Sequence, residues 1–267
     1  MSRYEKNNLV IVVLLAMSFI ISATLVYFIY FNEPIVPENK DSIFVEITDK
    51  EVINKLKDTI DKNNLIVLSS RDRNVENINT IPNKDKLEMA YKTLVDEDTK
   101  ENGITDEKID SYFKNIFDTT IYWNKENIKC TCDNNLYIYN SELNKYEYNE
   151  NHEEHELSII KPIYSKVLDA EKKNDIYVIK MSYIWTYYDG SNEYITSGYS
   201  NYNDIEKNIK LFDIELPEEL DTEDINYYAI KEIEDNYDKY KDKLHTYIYT
   251  FIEKDGKYLL QSFRYER

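Results

Sequence analysis

Residues 176–187 read IYVIKMSYIWTY, and this alternating stretch is the strongest indication of how the chain folds. Beginning at Tyr177, every second side chain is apolar or aromatic, whereas Lys180, Ser182 and Thr186 fall in the other series. A period of two is typical of a β-strand with one buried face. The stretch therefore predicts a long strand whose core-facing residues are Tyr177, Ile179, Met181, Tyr183, Trp185 and Tyr187.

Antiparallel partners for this strand are indicated on both sides of it in the sequence. Residues 157–170 form a second apolar-rich run, which the short polar segment 171–175 joins to the first. Near the end of the chain, residues 244–253 and 258–265 flank Asp255-Gly256, a dipeptide typical of a tight hairpin turn. The sequence thus predicts a sheet made of antiparallel hairpins.

Helices are predicted mainly before these strands, where apolar residues recur three and four positions apart. Thr48 and Glu51 have the spacing of a capping box and predict a helix over residues 49–62. Thr105 is the expected N-cap of a later helix. The remaining expectations, in chain order, are a short strand at 65–68, a helix along Leu87–Val95, strands near 121–123 and 136–138, and a helix that starts at Asp221 or Thr222.

Helices followed by long antiparallel strands predict an α+β domain with its helices on one face of a bent sheet. A cone-shaped fold of the nuclear-transport-factor-2 (NTF2) type is the leading expectation. A cystatin-like sheet, or two small subdomains divided near residues 80–104, are the alternatives.

An apolar run near the start predicts where the protein is located. Residues 9–31 read LVIVVLLAMSFIISATLVYFIYF, and no charged side chain occurs from residue 7 to residue 32. About 20 apolar residues suffice to cross a membrane as a helix. We therefore expect a tail at 1–8, a transmembrane helix at 9–31, a linker at 32–42 and an extracytoplasmic domain at 43–267.

The same run also differs from a cleaved signal peptide. Signal peptides have a shorter apolar stretch and a small-residue cleavage site, whereas this run ends in the bulky segment LVYFIYF. Arg3 and Lys6 precede the run, and positively charged flanks stay in the cytoplasm. The sequence thus predicts an uncleaved, single-pass signal-anchor in the cell membrane, with the N-terminus inside and the large domain outside.

The charge of the chain limits its partners. It has 33 Lys and Arg against 51 Asp and Glu, a net charge of −18. Such a chain repels the phosphates of nucleic acids and anionic lipid headgroups. We expect contact with the membrane through residues 9–31, no nucleic acid, and a protein or cell-wall partner on the outer face.

From about Lys84 onward, the order of features resembles a loose group of uncharacterised single-pass envelope proteins from low-GC Gram-positive bacteria. The matching features are Tyr112-Phe113-x-x-Ile116-Phe117, Tyr137-x-Tyr139, Lys172-Lys173-Asn174-Asp175-Ile176, and Tyr247-x-Tyr249-x-Phe251 with Tyr258-Leu259-Leu260. They cover roughly two thirds of the chain and consist of apolar positions. The resemblance implies a membrane-tethered domain, and it carries over no active-site residue.

Cysteines and histidines are the residue types that most often form metal or redox sites. Cys130 and Cys132 lack the spacing of a redox motif or zinc ribbon, so we expect free thiols or a strained local disulfide. His152 and His155 are three residues apart, which permits a weak metal site on one helix face, and the alternative is a solvated acidic loop. The metalloprotease motif requires a spacing of four. His245 is expected to be an ordinary surface or partly buried residue.

A cone-like fold would offer a concave site lined by aromatic side chains. The candidate ligand-pocket residues are Trp123, Tyr183, Trp185, Tyr247 and Tyr249, and the alternative is that these side chains simply fill the core. Because no recognisable catalytic set accompanies the predicted anchor, we expect a binding or interaction domain at the bacterial cell envelope, without a cofactor. The alternative is an envelope hydrolase or metal-dependent enzyme that uses Asp and Glu carboxylates.

Overall fold

The protein has an α+β fold with antiparallel sheets, as the sequence predicts. The computed structural model describes residues 43–70, 74–129, 134–151, 162–187, 195–215 and 222–266. Within these ranges, no helix is both long and apolar enough to cross a membrane. The run at 9–31 lies outside the described residues, so the transmembrane helix stays a prediction.

Most of the helices in the described ranges precede the long strands. In chain order they are α1 (Lys50–Lys62), α2 (Asn83–Leu94), α3 (Glu97–Asn102), α4 (Asp106–Ile116), α5 (Tyr202–Glu206) and α6 (Thr222–Tyr240), with 3-10 turns at Leu65–Ser70, Ile78–Thr80 and Lys241–Lys243. The predicted start of α6 at Thr222 is confirmed. The side chain of Thr105 caps α4 by accepting a hydrogen bond from the Lys108 amide at 3.2 Å, also as predicted.

The first helix begins in a different way from the one expected. Its extent agrees with the prediction, but the cap is Asp49, whose carboxylate accepts from the Glu51 amide at 2.8 Å. The capping box built on Thr48 is therefore wrong. Asp and Thr are both favoured caps, and the chain uses the residue one position nearer the helix.

The short strand predicted at 65–68 is also wrong, because Leu65–Ser70 is a 3-10 turn. Leu65, Val67 and Leu68 are all buried, which a compact turn achieves by pointing successive side chains into the core. The hydroxyl of Ser69 donates to the Ile66 carbonyl at 2.6 Å. Serine hydroxyls that bind nearby carbonyls favour such turns over strands.

The described residues contain strands of two antiparallel sheets. In chain order the strands are β1 (Val45–Glu46), β2 (Ile104–Thr105), β3 (Ile128–Lys129), β4 (Asn135–Asn140), β5 (Lys145–Tyr148), β6 (Tyr164–Lys173), β7 (Ile176–Tyr187), β8 (Ile195–Tyr199), β9 (Phe212–Glu215), β10 (Thr246–Lys254) and β11 (Lys257–Glu266). The described part of the larger sheet has the order β1-β6-β7-β10-β11, and β8 and β9 continue it from the end of β7. The smaller sheet has the order β2-β5-β4-β3.

The two predicted hairpins form the centre of the larger sheet. The pair β6–β7 has a bulge between Val167 and Asp169, and the pair β10–β11 has one between Thr250 and Phe251. Bulges bend a strand and increase its twist. The sheet accordingly curls into a half-barrel.

The predicted core face of β7 is confirmed, since Tyr177, Ile179, Met181, Tyr183 and Trp185 are at most 3% exposed. The opposite face is not polar throughout, however. Ile184 is fully buried there and packs in a second cluster with Ile233 of α6 and Phe212 of β9. The far half of β7 is thus covered on both faces.

The strand predicted near 121–123 does not form, whereas the one near 136–138 is confirmed as β4. Around residues 121–124, two backbone amides donate to asparagine side chains that lie at the start of α2 and just before it. The Tyr122 amide donates to Asn79 Oδ1 at 3.2 Å, and the Asn124 amide donates to Asn83 Oδ1 at 2.7 Å. These bonds replace the ladder that a strand would need.

Candidate functional site

The larger sheet forks beside the middle of β7. The first half of β7 pairs with β10, from Met181 opposite Tyr247 onward, whereas its last residues pair with β8, beginning with Trp185 opposite Tyr199. The end of β8 and the start of β10 meet at this fork. The His245 amide donates there to Ser200 Oγ at 2.6 Å.

A buried histidine and a buried aspartate lie together at the fork. Nε2 of His245 lies 3.5 Å from Oδ2 of Asp204, and the two side chains are only 4% and 5% exposed. The ring of Tyr265 meets the imidazole edge to face, with centroids 5.1 Å apart. Ionisable groups are rarely buried to this extent unless they are paired.

The backbone around α5 explains why Asp204 reaches this position. Asn201 caps α5, with its side-chain oxygen accepting from the Asn203 amide at 2.7 Å. The amide nitrogen of the same side chain donates to the Tyr247 hydroxyl at 2.7 Å and to the Ser69 carbonyl at 3.3 Å. One asparagine therefore fixes the helix start to β10, and Asp204 follows one turn later.

The pair forms part of the wall of a cavity of about 280 Å³. The wall combines aliphatic and charged side chains, and its residues are Asp204, Ile209, Lys210, Leu211, Asp242, Lys243, Leu244 and His245. Protein cavities that bind small molecules are usually apolar with a few fixed polar groups. We call this space the Asp204–His245 cavity.

A further ion pair holds one lysine at the edge of the cavity. Lys210 Nζ lies 3.0 Å from Asp213 Oδ1, and the Ser197 hydroxyl donates to the same oxygen at 2.5 Å. The Ser197 hydrogen bond, aided by Lys210, holds the pKa of the Asp213 carboxyl below its usual range. Asp213 is therefore ionised at neutral pH and anchors Lys210.

The expectation for His245 was wrong, since this residue is 3% exposed and forms part of a cavity wall. Asp204 and His245 are far apart in the sequence, and no short motif links them. The only local signal is the Asn201 cap followed by an aspartate one turn later. That pattern is common in helices and gives no sign of a histidine partner.

Four of the five predicted pocket residues do come together. Tyr183, Trp185, Tyr247 and Tyr249 are at most 1% exposed. The ring centroid of Tyr183 lies 5.6 Å from that of Trp185 and 5.3 Å from that of Tyr247. Their packing assigns these rings to the core, and their role in ligand binding stays a prediction.

Trp123 lies apart from this group. Its indole nitrogen donates to Asp110 Oδ1 at 2.8 Å, and its ring contacts Phe113 and Tyr146 near the smaller sheet. The structure therefore divides the predicted aromatic set between two locations. Tyr247 accepts a hydrogen bond from Asn201, and its ring lies 5.8 Å from that of Tyr265, which contacts the His245 imidazole.

The predicted metal and disulfide residues, His152, His155, Cys130 and Cys132, lie outside the described residues, and both assignments stay predictions. Within the described ranges, no group of three or more His, Cys, Asp or Glu side chains is arranged to hold a metal ion.

Another cavity, of about 340 Å³, lies between α2 and the edge strand β3. Its charged wall residues Lys84, Glu88, Glu126 and Lys129 are exposed or half-buried. Because water screens such groups, they form weaker fixed sites than the buried pair at the fork. The Asp204–His245 cavity is therefore the stronger candidate site.

Comparisons with known proteins give no further identification. No protein-family model, curated protein or solved structure matches the chain.

Proposed function

We propose that this protein is a membrane-tethered, extracytoplasmic binding domain that takes a small ligand in the Asp204–His245 cavity. The observation that carries the proposal is a cavity whose wall includes two ionisable side chains buried to about 95%. Removing such groups from water is costly, and a cavity with a few convergent polar groups is the default candidate for a binding site. The uncharged run at 9–31 supports the tether.

We also propose that the domain is of the NTF2-like type, with a cystatin-like sheet as the alternative. Support comes from the order of elements, with α1 to α4 before the long strands, and from the bulges that curl the sheet. In a cone of this kind, binding sites lie at the concave side or mouth of the sheet. A likeness of fold alone does not establish function.

The alternative function, an envelope hydrolase or metal-dependent enzyme, also stays a prediction. His152 and His155 are outside the described residues, and no carboxylate pair in the described ranges is singled out as a catalytic set. Hydrolysis of purified cell-wall glycan by the full-length chain would favour this alternative over a binding domain.

Filling the cavity tests the binding proposal. The full-length chain in detergent is heated with and without the low-molecular-mass fraction of a bacterial cell-wall digest. We expect the fraction to raise the Tm of the wild type and not that of Leu211→Trp, whose larger ring occupies the cavity. The control is Leu143→Trp, which places the same ring at a turn where the leucine is 57% exposed.

A wild-type shift that Leu143→Trp retains and Leu211→Trp loses supports the proposal. Equal shifts in all three proteins would place the binding elsewhere, and the absence of a shift in the wild type would contradict a wall-derived ligand.

A further inference from the structure

We propose that the Asp204–His245 cavity binds a small zwitterion, of the chemical class of a free amino acid or short peptide. This inference rests on the binding role proposed above and adds the class of ligand. Three properties of the cavity wall carry it: its size, the presence of both charge signs, and its aliphatic side.

Size limits the ligand to a few functional groups. The volume of the cavity is about 280 Å³. A free amino acid or a dipeptide is of this scale. The cavity therefore suits a single small molecule.

Both signs of charge line the same small space. Asp204 and Asp242 are the acidic residues of this wall, and Lys210 and Lys243 are the basic ones, beside His245. A purely anionic ligand would face the two carboxylates, and a purely cationic one would face the two lysines. Such like-charge contacts oppose binding. A molecule with one ammonium and one carboxylate meets partners of opposite sign for each.

The charged groups differ in how firmly they are held. Burial fixes Asp204, and the ion pair with Asp213 holds Lys210, whereas Lys243 is exposed on the 3-10 turn Lys241–Lys243. A fixed acid at the wall and an exposed lysine at the rim give a ligand two separate points of attachment. Separate points of opposite sign select for a molecule whose own charges are separated.

The rest of the wall selects for an apolar side chain. Ile209, Leu211 and Leu244 supply aliphatic surface next to the charged groups. Burial of an aliphatic side chain against such surface removes apolar area from water, which favours binding. Leucine combines this side chain with both charges and is therefore the probe of choice.

The experiment compares leucine with analogues that lack one or both charges. Binding to the full-length chain in detergent is measured by titration calorimetry for four probes: L-leucine, 3-methylbutylamine without the carboxylate, 4-methylpentanoate without the ammonium, and N-acetyl-L-leucinamide without either. We expect leucine to bind more tightly than each analogue. Tighter or equal binding of N-acetyl-L-leucinamide would overturn the assignment of a zwitterion.

Two variants locate the site. Lys243→Gln removes the ammonium at the rim and should raise the Kd for leucine about threefold to fivefold, as expected for one partly exposed ion pair. The matched control is Lys114→Gln on the exposed face of α4, which should leave the Kd unchanged. Equal affinities in both variants would contradict binding in this cavity. Because Lys243 is exposed, its replacement does not threaten the fold.

The result is separable from a failure of the proposed function. If the wall digest raises the Tm of the wild type and of Leu143→Trp but not of Leu211→Trp, while leucine fails to bind, the cavity is a binding site for another class of ligand. In that case the assignment of a zwitterionic ligand is wrong, and the proposed binding function stands.

Discussion

The hydroxyl of Tyr183 on β7 donates to the hydroxyl oxygen of Tyr249 on the neighbouring strand β10 at 3.2 Å, and both side chains are completely buried. Burial raises the pKa of both phenols above the usual value near 10. The folded protein therefore keeps these groups neutral under conditions in which an exposed tyrosine ionises. Burial likewise raises the pKa of Tyr137 in the smaller sheet, to about 12.

The first prediction is a loss of stability at alkaline pH. Below about pH 10 these tyrosines are neutral in both states, so their contribution is fully present. Above that pH the unfolded chain releases protons that the folded chain retains. The free energy of unfolding should then fall by up to about 1.4 kcal/mol per pH unit for each such group. Urea unfolding measured over this range checks the slope.

The variant Tyr249→Phe should make that alkaline slope shallower, because one titrating group is removed. Its control is Tyr227→Phe, which changes a tyrosine that is 61% exposed. The control should keep the wild-type slope. A slope that is identical in all three proteins would show that burial of Tyr249 does not govern the alkaline transition.

The second prediction concerns the pair at the fork of the sheet. Asp204→Ala removes the carboxylate next to the His245 imidazole and should lower the free energy of unfolding by about 1–3 kcal/mol, the usual effect of depriving a buried polar group of a partner. Chemical denaturation at neutral pH measures the change. The control is Asp238→Ala, which removes an exposed partner of Lys241 and should have no measurable effect.

The third prediction concerns the packing between β8 and β9. A Cβ atom added at Gly198 would lie 2.1 Å from Cζ of Phe212, whose ring also contacts Tyr240 at 5.0 Å between centroids. Gly198→Ala should therefore lower the free energy of unfolding by about 1–3 kcal/mol through overpacking. Adding Phe212→Leu should recover part of this loss. Additive losses in the double variant would contradict a direct clash.

The parts of the fold that depend on local pattern could be predicted from the sequence. The alternation at 176–187 identifies β7 and its core face, and Asp255-Gly256 identifies the last hairpin. Each of these features is encoded within about twenty consecutive residues. The strand expected near 121–123 failed because of distant partners, since asparagine side chains about 40 residues earlier bind the amides of Tyr122 and Asn124.

The candidate site depends still more on distant partners. Asp204 lies in α5, after β8, and His245 is the residue directly before β10. The two come together only because the sheet forks beside β7. The aromatic set was easier to foresee, because Tyr247 and Tyr249 alternate on one strand. Their shared face was predictable, whereas the separate location of Trp123 depends on how the smaller sheet packs against α4.

The most direct test of the account is the accessibility of the domain on intact cells. A chain with a C-terminal tag is produced in a Gram-positive bacterium, the wall is removed, and the protoplasts are treated with an external protease. If the domain lies outside the membrane, the tag is lost from intact protoplasts while a cytoplasmic marker survives. A tag that resists the protease until the membrane is permeabilised would contradict a tethered domain on the outer face.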